Sequence, residues 1–190
     1  MRRIFLVWIY SIALLLGQTS PLKTFYSFLN QDHIVKMEID FYQKQFDNSY
    51  RSSGFFYLIG EKNYVYDSLL FQMIVKDSLV TTINHETNQV VYSSIEKGQL
   101  TILDILSGRK EYIEFLDESD ASNVKKFNIP DLDYSGSFEF DQDTGLIKMI
   151  KLNIDYNQNV SIMVLSIEAI ENYTKPDFDL NRFEIIDLRG

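Results

Sequence analysis

The sequence predicts a mainly β (α+β) fold in which one antiparallel sheet curls around short helices. Three observations carry this. Apolar and polar residues alternate along most of the chain after residue 33, the period of strands with one buried face. The alternating stretches are joined by short polar turns without intervening helices, which argues for antiparallel neighbours and against a βαβ arrangement. Only two short stretches carry helical spacing. A sheet of roughly ten strands rarely stays flat: it curls, splits or closes. The helical pieces must bury their apolar faces, and the concave side of a curled sheet is the available place. Such a layout makes a pocket suited to a hydrophobic ligand.

The chain opens on the basic segment Met1-Arg2-Arg3. An almost wholly apolar run follows from Ile4 to Leu16, then a small polar stretch from Gly17 to Ser20. This is the layout of a secretory signal peptide over residues 1–20, with cleavage after Gly17 or near Ser20. Its apolar run of roughly thirteen residues falls short of the ~20 needed for a spanning helix. A membrane anchor is the alternative. Residues 21–190 are expected to form one exported domain.

Leu22, Phe25, Tyr26 and Leu29 make the first helical stripe. Val35, Met37, Ile39 and Phe41 then alternate with Lys36, Glu38, Asp40 and Tyr42 as a strand between His33 and Phe46. Asn48-Ser49 and Ser52 to Gly54 are expected to turn. Strands follow at 55–59, from Asn63 to Asp67, at 71–75, and as a hairpin at 79–83 and 89–92. Helical spacing returns at Leu100, Leu103 and Leu106, with Gly108 as the stop. A weaker strand runs from Tyr112 to Leu116, and 117–123 reads as a loop. Val124 to Ile129, Tyr134 to Phe140, Leu146 to Asp155 and Val160 to Ile170 complete the main run. Asp141 to Gly145 forms a hairpin turn, and Phe183 to Ile186 is a short last strand.

Composition narrows the function classes. The 190 residues are 45% hydrophobic and 24% charged, globular values for one domain. Eighteen Lys and Arg stand against 27 Asp and Glu, a net charge of -9, which argues against nucleic-acid binding. There is no cysteine, so disulfide scaffolds, thiol nucleophiles, zinc–thiolate sites and lipidation of an N-terminal Cys are excluded. An exported chain without cysteine fits a bacterial periplasm. The two histidines, His33 and His85, read as strand-end or surface residues. Asp141 and Asp143 read as hairpin residues rather than a calcium loop, and Asp117, Glu118 and Asp120 as a solvated loop. With no phosphate loop, nucleophile elbow or HExxH motif, neither an enzyme nor a cofactor is expected.

Several segments, in order, carry a family resemblance. They are Phe41-Tyr42-Gln43-Lys44, Gly54-Phe55-Phe56-Tyr57-Leu58, Tyr64-Val65-Tyr66, the apolar run Met73 to Val75 closing on Asp77-Ser78, and the helix from Leu100 to Leu106. Together with the export signal they resemble the LolA family of periplasmic lipoprotein carriers. The resemblance implies an unclosed antiparallel β-barrel with short helices covering its concave face. It also implies a chaperone that holds the acyl chains of lipoproteins in a hydrophobic cavity, with a monomer as the default for a shuttle. Such a carrier takes them from an inner-membrane ABC transporter to an outer-membrane receptor. The lining expected from it is Ile39, Phe41, Phe56, Leu58, Tyr64 and Tyr66, with Leu103 and Leu106 from a lid helix. Tyr64 and Tyr66 suit a wet pocket wall. The resemblance places a lid-holding Arg after the second strand, where this chain has Gly60-Glu61, with Lys62 as the nearest cation. The interior is expected to be hollow, filled by fatty tails rather than by the protein's own side chains. A periplasmic carrier of another apolar ligand, or a non-catalytic envelope protein with a filled core, is the alternative.

Overall fold

The structure, a computed structural model, describes residues 20–60, 63–95, 100–116, 122–174 and 180–189. The expected signal peptide up to Thr19, Lys62 and the acids from Asp117 to Asp120 lie outside these residues. Helix α1 (Pro21–Leu29) leads into β1 (Ile34–Gln45), β2 (Asn48–Gly60), β3 (Asn63–Ser68), β4 (Phe71–Lys76), β5 (Leu79–Asn84) and β6 (Gln89–Ser94). Helix α2 (Ile102–Leu106) follows, then β7 (Glu114–Phe115), β8 (Val124–Ile129), β9 (Tyr134–Phe140), β10 (Ile147–Asp155), β11 (Gln158–Ile170) and β12 (Glu184–Asp187). No described helix is long and apolar enough to cross a membrane.

All twelve strands form one sheet in the order β12-β6-β5-β4-β3-β2-β1-β11-β10-β9-β8-β7. Its two ends do not pair, so it is unclosed. Neighbours are antiparallel except β12, which lies parallel to β6. The exception follows from its approach. The chain leaving β11 sets Tyr173 on Tyr57 and Phe183 on His85, at ring-centroid distances of 4.7 and 6.2 Å. β12 therefore does not meet β6 through a hairpin.

Curvature follows from what the helices touch. A flat sheet of this many strands would be about 50 Å wide. Yet the side chains of α1 and α2 join one core cluster with Tyr64 and Val75 from one half of the sheet and Phe127 and Phe138 from the other. Both halves must therefore wrap the same pair of short helices. Gly136 helps the sheet coil. A Cβ there would collide with the Phe127 ring and approach Lys151 O to 2.5 Å, so the missing side chain lets β8 and β9 close over one another.

Two expectations change. Asn48 to Ser53 is strand, in register with β1 from Gln45↔Asn48 to Asp40↔Ser53, and the turn is Phe46-Asp47. The interior is not hollow in this state. Phe25, Leu29, Ile102, Leu103, Ile105 and Leu106 fill the concave side, all of them buried. An inward-facing apolar residue has the same alternation whether a lipid or a helix covers it, so the sequence pattern could not tell the two apart.

Candidate functional site

The concave face and its two helices form the candidate site. Pro21 sits at the first turn of α1, where its missing N–H would be unsatisfied in any case. The stripe then aims Phe25 at Phe138 and Phe140, at centroid distances of 6.2 and 6.1 Å. Helix α2 is only five residues long and depends on its caps. Thr101 Oγ1 accepts from the Asp104 amide at 3.1 Å, and Asp104 Oδ2 accepts from the Thr101 amide at 2.8 Å. This reciprocal box satisfies two otherwise orphaned donors. Gly108 ends the helix at φ +91°, and a Cβ there would lie 3.0 Å from Leu29 Cδ1. The two helices thus meet at a residue whose backbone favours glycine and where a side chain would press on Leu29.

The structure brings the eight candidate lining residues into one neighbourhood. Ile39, Phe56, Leu58, Tyr64, Tyr66, Leu103 and Leu106 are buried in a single cluster, and Phe41 packs half-buried against it. The tyrosine tips meet protein. Tyr66 Oη donates to Ser52 Oγ at 3.1 Å, and Tyr64 Oη donates to Asp104 Oδ1 at 3.2 Å.

Asp104 is the residue that the reading of the sequence missed. It is a buried carboxylate inside the otherwise aliphatic run Ile102 to Leu106. It holds the N-terminus of its own helix, receives the Tyr64 hydroxyl from β3, and faces Arg109 Nη1 at 3.4 Å. Burial, and then the Asp104 carboxylate, push the Tyr64 phenol above its ordinary range, so it stays a donor. The signal that could have found Asp104 was Thr101-x-x-Asp104, a capping-box spacing just before an apolar run. Among the described residues, a tie between helix and sheet therefore exists, made from the helix side by Asp104.

Beside the packed core, a cleft of about 650 Å³ opens where the C-terminal ends of α1 and α2 meet the start of β1 and the end of β2. Tyr26, Leu29, His33, Leu58, Gly60, Gly108, Arg109, Lys110 and Glu111 line it. Of the eight candidates, Leu58 alone is among the cleft's lining. Lys110 Nζ stands 5.1 Å from the Tyr26 ring centre, and burial, with Glu111 adding to it, raises the Tyr26 phenol. His33 lines this cleft and packs on Phe28 at 5.2 Å, a larger part than a bare strand end. Among the described residues no three His, Asp or Glu side chains gather as a metal site. The arrangement is an apolar interior, a short helix seated in it, and a polar mouth alongside.

No family model matches the sequence, and no curated protein matches it. Solved structures do resemble it. A LolA superfamily protein from Nitrosomonas europaea is 10% identical, with a TM-score of 0.45 over 81% of this chain and 94% of that one. A DUF1329 family protein from Desulfovibrio piger is 10% identical, with a TM-score of 0.45 over 82% and 96%. A putative outer membrane lipoprotein-sorting protein domain from Vibrio parahaemolyticus is 8% identical, with a TM-score of 0.43 over 86% and 97%. The chain is similar to these proteins at low identity, and what it does has to be read from its own residues.

Proposed function

We propose that this chain is a non-catalytic periplasmic carrier that holds the acyl chains of lipoproteins in place of helix α2 and moves them between the inner and outer membranes. The observation that supports this is α2 itself: a five-residue, mostly aliphatic plug seated in an apolar trough. Seating Ile102, Leu103, Ile105 and Leu106 is worth roughly 6–12 kcal/mol at about 1.5–3 kcal/mol per side chain. About a dozen acyl methylenes at ~0.8 kcal/mol each return ~10 kcal/mol to the same trough. The exchange is near balance, so cargo can enter without being trapped. Tyr64, Asp104 and Arg109 set how readily the plug leaves. An inner-membrane ABC transporter and an outer-membrane receptor are the partners this reading requires.

A second reading has one observation in its favour, the completeness of the packing. If α2 never leaves, the chain is an envelope protein with an ordinary core. Native mass spectrometry of protein purified from periplasm separates the two. Co-purifying triacylated lipoprotein, lost in Leu103→Glu, supports the lipoprotein carrier. Free lipid in its place assigns another apolar cargo. Bare protein, with no release of lipoproteins from spheroplasts, supports the filled-core reading.

A further inference from the structure

Two hairpin tips at one end of the sheet differ in chemistry from the other turns. Strands β1 and β2 run past their neighbour β3. The β2–β3 register stops at Gly54↔Ser68, while β1 and β2 stay paired out to Gln45↔Asn48. The hairpin therefore projects about 20 Å beyond the β3–β4 turn. Beside it stands the β10–β11 hairpin, since β1 also pairs with β11 out to Gln45↔Gln158. The two tips are joined by the Phe46 amide donating to Asn157 O at 3.0 Å.

Each tip is a two-residue loop that opens on an aromatic residue. These are Phe46, 57% exposed, and Tyr156, 94% exposed, with Tyr50 beside them at 39%. The β3–β4 loop, set back at the same end, opens on Leu69, also exposed. Phe46 has φ +54°, a backbone that Gly or Asn adopts freely and a bulky side chain adopts at a cost. An aromatic side chain is thus held to solvent at the position in the hairpin least suited to it. Other described turns are acidic or polar at both ends, Asp77-Ser78 and Asp141 to Gly145 at the opposite one and His85 to Asn88 and Pro130 to Asp133 at this one, so the aromatic character belongs to the projecting tips.

We infer that the paired hairpin tips are a contact for the interfacial zone of a zwitterionic phospholipid bilayer. Three arguments select this occupant. Phe and Tyr are side chains that settle at the boundary between headgroups and acyl chains. Three partly exposed aromatics offer at most roughly 500 Å² on this side, below the ~800 Å² that each partner contributes to a standard protein interface. A shallow, reversible lipid contact needs no matching partner surface. Although the neighbouring β8–β9 turn carries Asp131 and Asp133, in a chain of net charge -9, the two hairpins are themselves balanced, with Lys44 and Arg51 against Asp47 and Asp155. They meet a neutral surface without the repulsion that the rest of the chain would feel from an anionic one. The tips lie about 40 Å along β1 from the cleft, so the cleft faces away from the bilayer. The inference is independent of the carrier reading.

The absence of cysteine makes the test local. An environment-sensitive fluorophore is placed on Ser49→Cys at the tips and, separately, on Gln31→Cys at the cleft end, and each protein is mixed with phosphatidylcholine vesicles. The Ser49 probe should shift to the blue and be quenched by nitroxide-labelled lipid, while the Gln31 probe stays unchanged. Phe46→Gly, which suits the backbone, combined with Tyr156→Ser should weaken the Ser49 response about tenfold or more, given the apolar area removed. A Ser49 probe silent toward vesicles overturns the inference. So does a response of equal size at Gln31, or one that survives the double substitution. Shielding of Ser49 by a protein partner without any vesicle response would assign the surface to that partner and overturn it equally.

Discussion

Replacing Tyr64 with Phe removes one oxygen from the heart of the site and nothing else. Asp104 Oδ1 then keeps Arg109 at 3.4 Å, and Oδ2 keeps the Thr101 amide and hydroxyl, both at 2.8 Å. A hydrogen bond to a charged group contributes about 1.5–3 kcal/mol. The long 3.2 Å separation and the surviving partners place this one at the low end, about 1–2 kcal/mol. Because the bond joins α2 to β3, it exists only while the helix is seated. Its loss should raise the fraction of molecules with α2 unseated by roughly 5–30-fold. Amide hydrogen exchange reads this directly. The Ile105 and Ser107 amides, which bond to Thr101 O and Leu103 O, should lose protection by that factor. Amides of the central pair β1 and β11 should keep theirs. A uniform loss across the sheet would mean that Tyr64 supports the whole fold. Unchanged exchange at Ile105 and Ser107 would mean that the bond does not hold the helix, and either result refutes the reasoning.

Further outcomes follow from other positions. Gly136→Ala should lower stability by several kcal/mol, because the new methyl meets the Phe127 ring and the Lys151 carbonyl; chemical denaturation measures the loss, and near-wild-type stability would show that β8 and β9 can separate there at little cost. Burial raises the Asp67 carboxyl, with the nearby Gln72 amide and His85 opposing it. The folded chain therefore holds this proton more tightly than the unfolded chain. That contribution to stability is full below the unfolded carboxylate range and is lost as pH rises through the folded value. Asp67→Asn should accordingly raise Tm near pH 7 and change it little near pH 3, and the opposite ordering would reverse the assignment.

How much of this was legible in the sequence depended on what each residue had to satisfy. Val35, Met37 and Ile39 face the core, so their alternation announced β1. Asn48 to Ser53 lie beyond the core, where strand pairing asks only for backbone hydrogen bonds, and their polar side chains imitated a turn. The alternating pattern carries Phe46 to the end of a strand, whereas the register of β1 with β2 places it in the loop. Leu103 and Leu106 were recognised as a helix over the concave face. Asp104, between them, reads as an interruption of an apolar run, because only its three partners show why a charge sits there. The parallel docking of β12 on β6 depends on a crossover that no local pattern encodes. The filled interior was the largest departure, because lining and core share one chemistry.

The central claim is that acyl chains and helix α2 compete for the same trough. The most direct measurement follows amide exchange in α2 during titration with a soluble acylated peptide. The account predicts that exchange at Ile105 and Ser107 speeds up as ligand binds, while β1 and β11 stay protected. Binding that leaves α2 as protected as before, or protects it further, would contradict the account.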